Sequence, residues 1–275
     1  MVTQNTQKAL ISGSDWEAVV TNDFPISLVP AGHVLVKTAY VELNPADWMN
    51  MGTENTVPST LGGCDFSGIV EEVGPAVTKK FTKGENVIGF NLGFNRLRPN
   101  KGAFAQYVIT KRDLLLQVPE SLPIHRVASM PAGLIYCRAG VVSGLGDGGI
   151  GDSVCKAAVG LKIREHTNNN LHHVYDTTAS AKTAAVCSEA LSSNPGGKYM
   201  ATQFPQMKRE DIESSAMVVY SAINEEFRVG AHVSPAKEED FEFAKRFGVI
   251  ADKLVAEGKV RAHNVLTNEE GWGNS

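Results

Sequence analysis

Side chains alternate with a period of two along residues 34–39, as they do in a β-strand that buries one face. Three further short stretches of the first 130 residues are also predicted strands, namely residues 68–74, 86–90 and 104–109. Glycine and proline separate them, a pattern typical of a barrel-like all-β module. The polar loop at residues 91–101 precedes the last strand and is a candidate rim for a cleft.

The pattern changes to an α/β rhythm towards the C-terminus. Residues 172–178, 198–202 and 217–222 are predicted strands, and residues 134–142 and 179–191 are predicted helices. The clearest helix spans residues 235–257, with Ser234 as its N-cap, Pro235 in its first position and Gly258 at its end.

Residues 144–151 (GLGDGGIG) contain five glycines. The segment matches the G-x-G-x-x-G fingerprint of dinucleotide sites, but that fingerprint has meaning only between a strand and a helix, with an acidic residue about 20 positions further on. Because no convincing strand precedes these glycines, we expect a linker. A pyrophosphate loop is the alternative.

Charge and cysteine spacing exclude several classes of protein. Lys and Arg number 26 against 30 Asp and Glu, so the net charge of −4 offers no field for nucleic acid. No apolar run is long enough to cross a membrane, and we expect a cytoplasmic protein. The four cysteines are widely spaced without a C-x-x-C pair, so we expect neither a metal site nor a disulfide framework.

Five motifs in the first 133 residues resemble the quinone-reductase side of the medium-chain dehydrogenase/reductase family. The resemblance is greatest to the trans-acting enoyl reductases that serve fungal polyketide synthases. The motifs are residues 43–48 (LNPADW), 61–74 (LGGCDFSGIVEEVG), 84–89 (GENVIG), 102–108 (GAFAQYV) and 130–133 (MPAG). Residues 167–171, 174–177 and 194–199 resemble late parts of the same family's cofactor domain.

The resemblance implies an α/β (α+β overall) fold with a GroES-like β-barrel domain and a truncated Rossmann-like domain. We expect the GroES-like domain at residues 1–130, the truncated domain at 131–235, and a returning helix and tail at 236–275. The truncation is inferred because too few residues separate Leu145 from Leu161 for the first βαβ unit of a dinucleotide site. Met49 and Tyr136 stand where relatives usually carry lysine and threonine.

These departures favour a cofactor-independent enzyme of polyketide metabolism. We expect a cyclase acting on a linear polyene, including by intramolecular [4+2] cycloaddition, since such a reaction needs only a shaped cleft and a polarising hydrogen bond. The alternatives are an NADPH-dependent trans-acting enoyl reductase and a non-catalytic accessory of a polyketide synthase.

The candidate site follows from the same resemblance. Tyr136 is the expected hydrogen-bond donor, with Asn50 and Asn91 as helpers. The substrate pocket is expected to contain Trp48, Met49 and Arg98. The expected partners are a polyketide-derived small molecule, a polyketide synthase and a second copy of the chain. A homodimer is expected because sheet edges left open by the deletion need cover.

Overall fold

The computed structural model describes residues 5–51, 56–75, 81–137, 156–204, 207–229, 232–260 and 262. The strands are β1 (Thr6–Ser12), β2 (Ala18–Pro25), β3 (His33–Val41), β4 (Asp65–Val73), β5 (Asn86–Phe90), β6 (Tyr107–Lys111), β7 (Leu116–Gln117), β8 (His173–Asp176), β9 (Gly197–Ala201), β10 (Ile212–Ala216), β11 (Phe227–Val229) and β12 (His232–Ser234). The helices are α1 (Pro45–Asn50), α2 (Ile124–Val127), α3 (Pro131–Cys137), α4 (Lys156–His166), α5 (Ala181–Ala190) and α6 (Glu238–Ala256), with 3₁₀ turns at Arg112–Leu114 and Val219–Ile223.

The chain divides into two compact units. Unit 1 contains the residues up to Ile135 and those from Tyr220 onwards, and unit 2 contains Tyr136–Val219. The domain bounds at residues 130 and 235 that we inferred from sequence remain a prediction.

Unit 1 is built on an antiparallel sheet with the strand order β6-β3-β4-β5-β7. Its alternating strands bury one continuous apolar cluster, and the largest members of that cluster are Phe66, Phe81 and Phe104. Within this unit, the β1–β2 hairpin pairs with the segment before β6 through a bridge between Ala9 and Ala105. Unit 1 therefore has the β-rich character that the period-2 pattern predicts.

Gly63 shows why the loop before β4 needs glycine. Its φ is +92°, and a Cβ there would lie 2.3 Å from a ring atom of Phe104. The left-handed backbone and the close ring both exclude other residues. This turn leads directly into Asp65, the first residue of β4.

Unit 2 contains a parallel three-stranded sheet with the order β10-β9-β8. Leu191, Tyr199 and Ile212 form part of its core. Ser180 caps α5 by accepting a hydrogen bond from the Thr183 amide at 3.1 Å. The mixed α/β fold with a Rossmann-like parallel sheet, as predicted from sequence, is confirmed.

Some local predictions are wrong. Residues 217–222 are not a strand, since β10 ends at Ala216 and the 3₁₀ turn follows. Helix α6 begins after Lys237, so Ser234 does not cap it and instead ends β12. Strands β1 and β2 and helix α4 were not predicted.

The glycine-rich residues 144–151 lie outside the described residues. Within the described parts of the chain, no helix has the length and apolar character needed to span a membrane.

Candidate functional site

Helix α1 carries three of the six predicted site residues. Pro45 fixes its first turn and keeps Asn44 in the extended conformation, with φ −97° and ψ 150°. The Asn44 amide donates a hydrogen bond to Asp47 Oδ2 at 2.7 Å. This local sequence therefore begins the helix at a fixed place, with Trp48, Met49 and Asn50 on its last turn.

Trp48 and Met49 lie on an exposed face of unit 1. Trp48 is 68% exposed and Met49 is 49% exposed. Leu43 and Tyr40, which precede α1, are also exposed large side chains. Surface apolar residues grouped in this way are typical of a surface that binds an apolar ligand or another protein.

Asn50 hydrogen-bonds to a residue that the sequence analysis did not select. Its Nδ2 donates to the hydroxyl of Tyr220, at 3.4 Å. Tyr220 lies in the 3₁₀ turn that follows the last parallel strand, and it is 9% exposed. The sequence pattern predicts a strand over residues 217–222, so no sequence signal singles out Tyr220.

Aromatic contacts fix the ring of Tyr220. It stacks on Phe90, with centroids 6.3 Å apart and planes at 18°, and it meets Phe227 edge-on at 5.6 Å. Phe90 and Phe227 are both fully buried. The tyrosine ring is thus held between two core side chains of unit 1.

Asn91 and Arg98 line a small cavity together with Tyr220. Its volume is about 10 Å³, room for roughly one water-sized group. The Asn91 amide donates to the carbonyl oxygens of Gly102 and Ile109, each at 3.2 Å. Asn91 therefore ties neighbouring segments together, and its role as a catalytic helper stays a prediction.

A cluster of ion pairs borders the same cavity. Glu225 accepts a hydrogen bond from Lys101 at 2.5 Å, and it lies 3.5 Å from Lys111 and 3.7 Å from Arg98. Burial disfavours the ionised form of Glu225, but the charge and hydrogen bond of Lys101 outweigh it and lower its pKa. Arg98 is thus committed partly to this network.

Beneath α1 lies a group of buried acidic side chains. Burial raises the pKa of Asp47 to about 6, although hydrogen bonds from Asn44 and Cys64 oppose the rise. Burial also raises the pKa of Asp65 well above its usual range. Asp65 accepts hydrogen bonds from Asn44 at 3.2 Å and from the Ala132 amide at 3.0 Å. Asp65 therefore connects the turn before α1 to the start of α3.

Tyr136 belongs to helix α3, and its side chain lies outside the described residues. Its predicted role as donor stays a prediction. In the described parts of the chain, no group of three or more His, Cys, Asp or Glu side chains could hold a metal ion.

The described part of unit 2 does not fit a nicotinamide dinucleotide. Such a site lies where the strand order of a parallel sheet reverses, next to a glycine turn and a helix N-terminus. Here β8, β9 and β10 follow one another in chain order, with no reversal among the described strands. We therefore derive no chemistry through a cofactor in this unit.

Comparison with known proteins identifies a domain of the chain and its fold. Residues 30–120 match the Alcohol dehydrogenase GroES-like domain. The CurK enoyl reductase crystal structure superposes with a TM-score of 0.67, at 14% identity, over 95% of this chain and 91% of that one. The chain thus contains a GroES-like domain and has the medium-chain dehydrogenase/reductase fold.

Sequence relatives narrow the resemblance to one group. The trans-enoyl reductase resD of Aspergillus sclerotiorum is 26% identical over 332 aligned positions, covering 96% of this chain and 93% of the relative. The trans-enoyl reductase ACTTS2 of Alternaria alternata is 26% identical over 320 positions, with 97% and 92% covered. The expected resemblance to fungal trans-enoyl reductases is confirmed over most of the chain.

Proposed function

We propose that this chain is a cofactor-independent enzyme of polyketide metabolism that binds a linear polyene and promotes its cyclisation on a truncated enoyl-reductase scaffold. The observation that carries the proposal is the order of strands in unit 2. The three parallel strands that the structure describes there run in chain order and form no reversal point at which a dinucleotide could bind.

The length of the alignments supports the truncation. The alignment with the Aspergillus sclerotiorum reductase spans 332 positions, whereas this chain has 275 residues. At least 57 positions (332 minus 275) are therefore empty in this chain. In total, these empty positions outnumber the roughly 30 residues of one βαβ unit.

Features of helix α1 in unit 1 support the proposed cyclisation. Trp48 and Met49 present apolar surface on which a polyene can pack, and Asn50 lies on the same helical turn beside a tyrosine hydroxyl. Confining a flexible chain in a reactive conformer removes much of the entropic barrier. A hydrogen bond to the carbonyl conjugated with the reacting alkene withdraws electron density from it and strengthens in the transition state.

The reaction balances without any co-reactant. In an intramolecular [4+2] cycloaddition the three π bonds of the diene and the dienophile are replaced by two new C–C σ bonds and one new π bond between the central diene carbons. No proton, electron pair or leaving group departs. The product is an isomer of the substrate.

The second candidate is an NADPH-dependent trans-acting enoyl reductase. The names of the relatives favour it, because both are called trans-enoyl reductases. The alignments cover more than nine-tenths of the length of each relative. It would need residues 144–151, outside the described residues, to hold the phosphates. Arg98, whose side chain is 47% exposed, would then help to steer a carrier-bound acyl group.

Product mass separates the two candidates. The purified chain is incubated with linear polyene thioesters, with and without NADPH, and products are separated by liquid chromatography with mass detection. Our proposal predicts a product of unchanged mass and altered retention in both incubations. A product heavier by two hydrogen atoms that forms only with NADPH would contradict it and establish the reductase.

A further inference from the structure

Tyr220 lies where the predicted site residues of unit 1 meet. Its hydroxyl is 3.4 Å from Asn50 Nδ2, and its side chain lines the small cavity shared with Asn91 and Arg98. Asn50, which is 170 positions away in the chain, thus lies beside the phenol of Tyr220. The sequence predicts Tyr136, rather than Tyr220, as the hydrogen-bond donor of the site.

The position of the Tyr220 hydroxyl is fixed on both sides. The stacked ring of Phe90 and the edge contact with Phe227 restrict rotation of the tyrosine ring. Asn50, held at the end of α1, donates to the phenol oxygen. A donor held by packing and by a supporting hydrogen bond loses little entropy when it binds a substrate atom.

The hydrogen bond from Asn50 also affects the strength of the phenol as a hydrogen-bond donor. Hydrogen bonds in a chain polarise one another, so a hydroxyl that accepts from an amide becomes a stronger donor. Asn50 lies on the same last turn of α1 as the exposed Trp48 and Met49, and Tyr220 belongs to the aromatic group with Phe90 and Phe227. Under the proposed function, a polyene bound against α1 brings its carbonyl to the Asn50–Tyr220 pair.

We infer that Tyr220, positioned by Asn50, is the side chain that hydrogen-bonds the substrate carbonyl, in place of Tyr136. The inference rests on the proposed function, because it assigns the donor for the same site. Asn50 acts as the positioning residue, since it reaches the carbonyl through the phenol. The substrate class is an acyl chain whose carbonyl is conjugated with its alkenes.

The test uses a chromophore that reports the hydrogen bond directly. Sorbyl N-acetylcysteamine is a dienoyl thioester whose absorption shifts to longer wavelength when its carbonyl accepts a strong hydrogen bond. It is titrated into the full chain and into Tyr220→Phe, Tyr136→Phe and Tyr107→Phe. The Phe variants remove only a hydroxyl, and Tyr107→Phe on β6 serves as the matched control.

We expect the wild-type chain, Tyr136→Phe and Tyr107→Phe to bind the probe with a red shift. Tyr220→Phe should lose the shift and bind roughly threefold to tenfold more weakly, the effect of one neutral hydrogen bond. A red shift that persists in Tyr220→Phe, or that disappears in Tyr136→Phe, would overturn the assignment.

Two further outcomes distinguish a failure of the inference about Tyr220 from a failure of the proposed function. If the wild-type chain does not bind the probe, the acyl-binding function itself fails. If Tyr220→Phe does not fold, as judged by circular dichroism, Asn50→Ala tests whether the Asn50–Tyr220 pair acts on the carbonyl of the probe. That variant should weaken the red shift, and an undiminished shift would overturn the role of the pair.

Discussion

At the residue scale, the turn at Asn44–Asp47 links the surface of the site to its buried acidic residues. Asp47 holds the start of α1 through the Asn44 amide, while Asp65 holds Asn44 from below. Asp47 and Asp65 are almost fully buried, at 6% and 0% exposure. The position of Trp48, Met49 and Asn50 therefore depends on carboxyl groups that no substrate needs to touch.

The titration of Asp47 should make stability depend on pH. Its folded-state pKa of about 6 lies above the ordinary value of 3.8. The stability that protonated Asp47 contributes to the folded state is therefore fully present below about pH 4 and is lost as the pH rises through 6. Asp47→Asn keeps an acceptor for the Asn44 amide but cannot ionise, so the variant does not lose stability as the pH rises. The variant should gain up to roughly 3 kcal/mol relative to wild type between pH 4 and 7.

Urea unfolding at several pH values measures this difference. Asp23→Asn, which removes an exposed carboxyl from β2, is the control. A stability difference between Asp47→Asn and wild type that stays constant from pH 4 to pH 7 would contradict the account.

Single site residues were only partly predictable. Asn50 could be selected because it follows the N-P-x-D turn, and it does contact a tyrosine. Tyr220 could not be paired with it, because the pairing spans 170 positions and depends on a turn that sequence patterns read as a strand. Asn91 looked available for chemistry, yet both its contacts are to backbone carbonyls.

At the element scale, ion pairs join the segment that contains Tyr220 to the sheet of unit 1. Lys111, the last residue of β6, donates to the carbonyl oxygens of Ile223 and Asn224 and lies near Glu225. Lys101 reaches Glu225 from the loop before β6. This network ties the segment that contains Tyr220 to β6 and to the loop before it.

Removal of the central carboxylate should loosen this segment. Glu225→Gln leaves Lys101 and Lys111 half buried without their shared counter-charge, so we expect a loss of about 1–3 kcal/mol in the free energy of unfolding. Glu226→Gln is the matched control, because Glu226 is the adjacent exposed carboxylate. It should change stability by less than about 0.5 kcal/mol.

Chemical denaturation of both variants checks the expectation. Equal stability losses in Glu225→Gln and Glu226→Gln would show that the ion pairs do not hold the segment.

Elements were predictable where an apolar pattern was clear and was bounded by turn residues. Strand β5 spans Asn86–Phe90 as predicted, because its short apolar run is bounded by turn residues. Strand β2 was missed, since most of its residues are exposed and no alternation is visible. Residues 217–222 form an apolar run that fits a buried strand and a 3₁₀ turn equally well, and tertiary packing selects the turn.

At the scale of the whole molecule, the described parallel sheet of unit 2 is small. Three strands leave β8 and β10 as its edges within the described residues. Open sheet edges promote association. This argument, together with the 57 or more unfilled alignment positions, leads us to predict a homodimer.

Light scattering after size-exclusion chromatography tests the oligomeric state. At micromolar protein, the prediction is a mass of about twice 29.5 kDa. A mass of 29.5 kDa that persists at higher concentration would show that the chain covers its own sheet edges.

The absence of a nicotinamide site is the central claim, and calorimetric titration of the full chain with NADPH tests it most directly. NADP⁺ serves as the comparison ligand, and the sorbyl thioester confirms that the preparation binds acyl chains. The account predicts no heat of binding for NADPH up to high micromolar concentration. Saturable binding of one NADPH per chain would contradict it and would restore hydride transfer as the function of this scaffold.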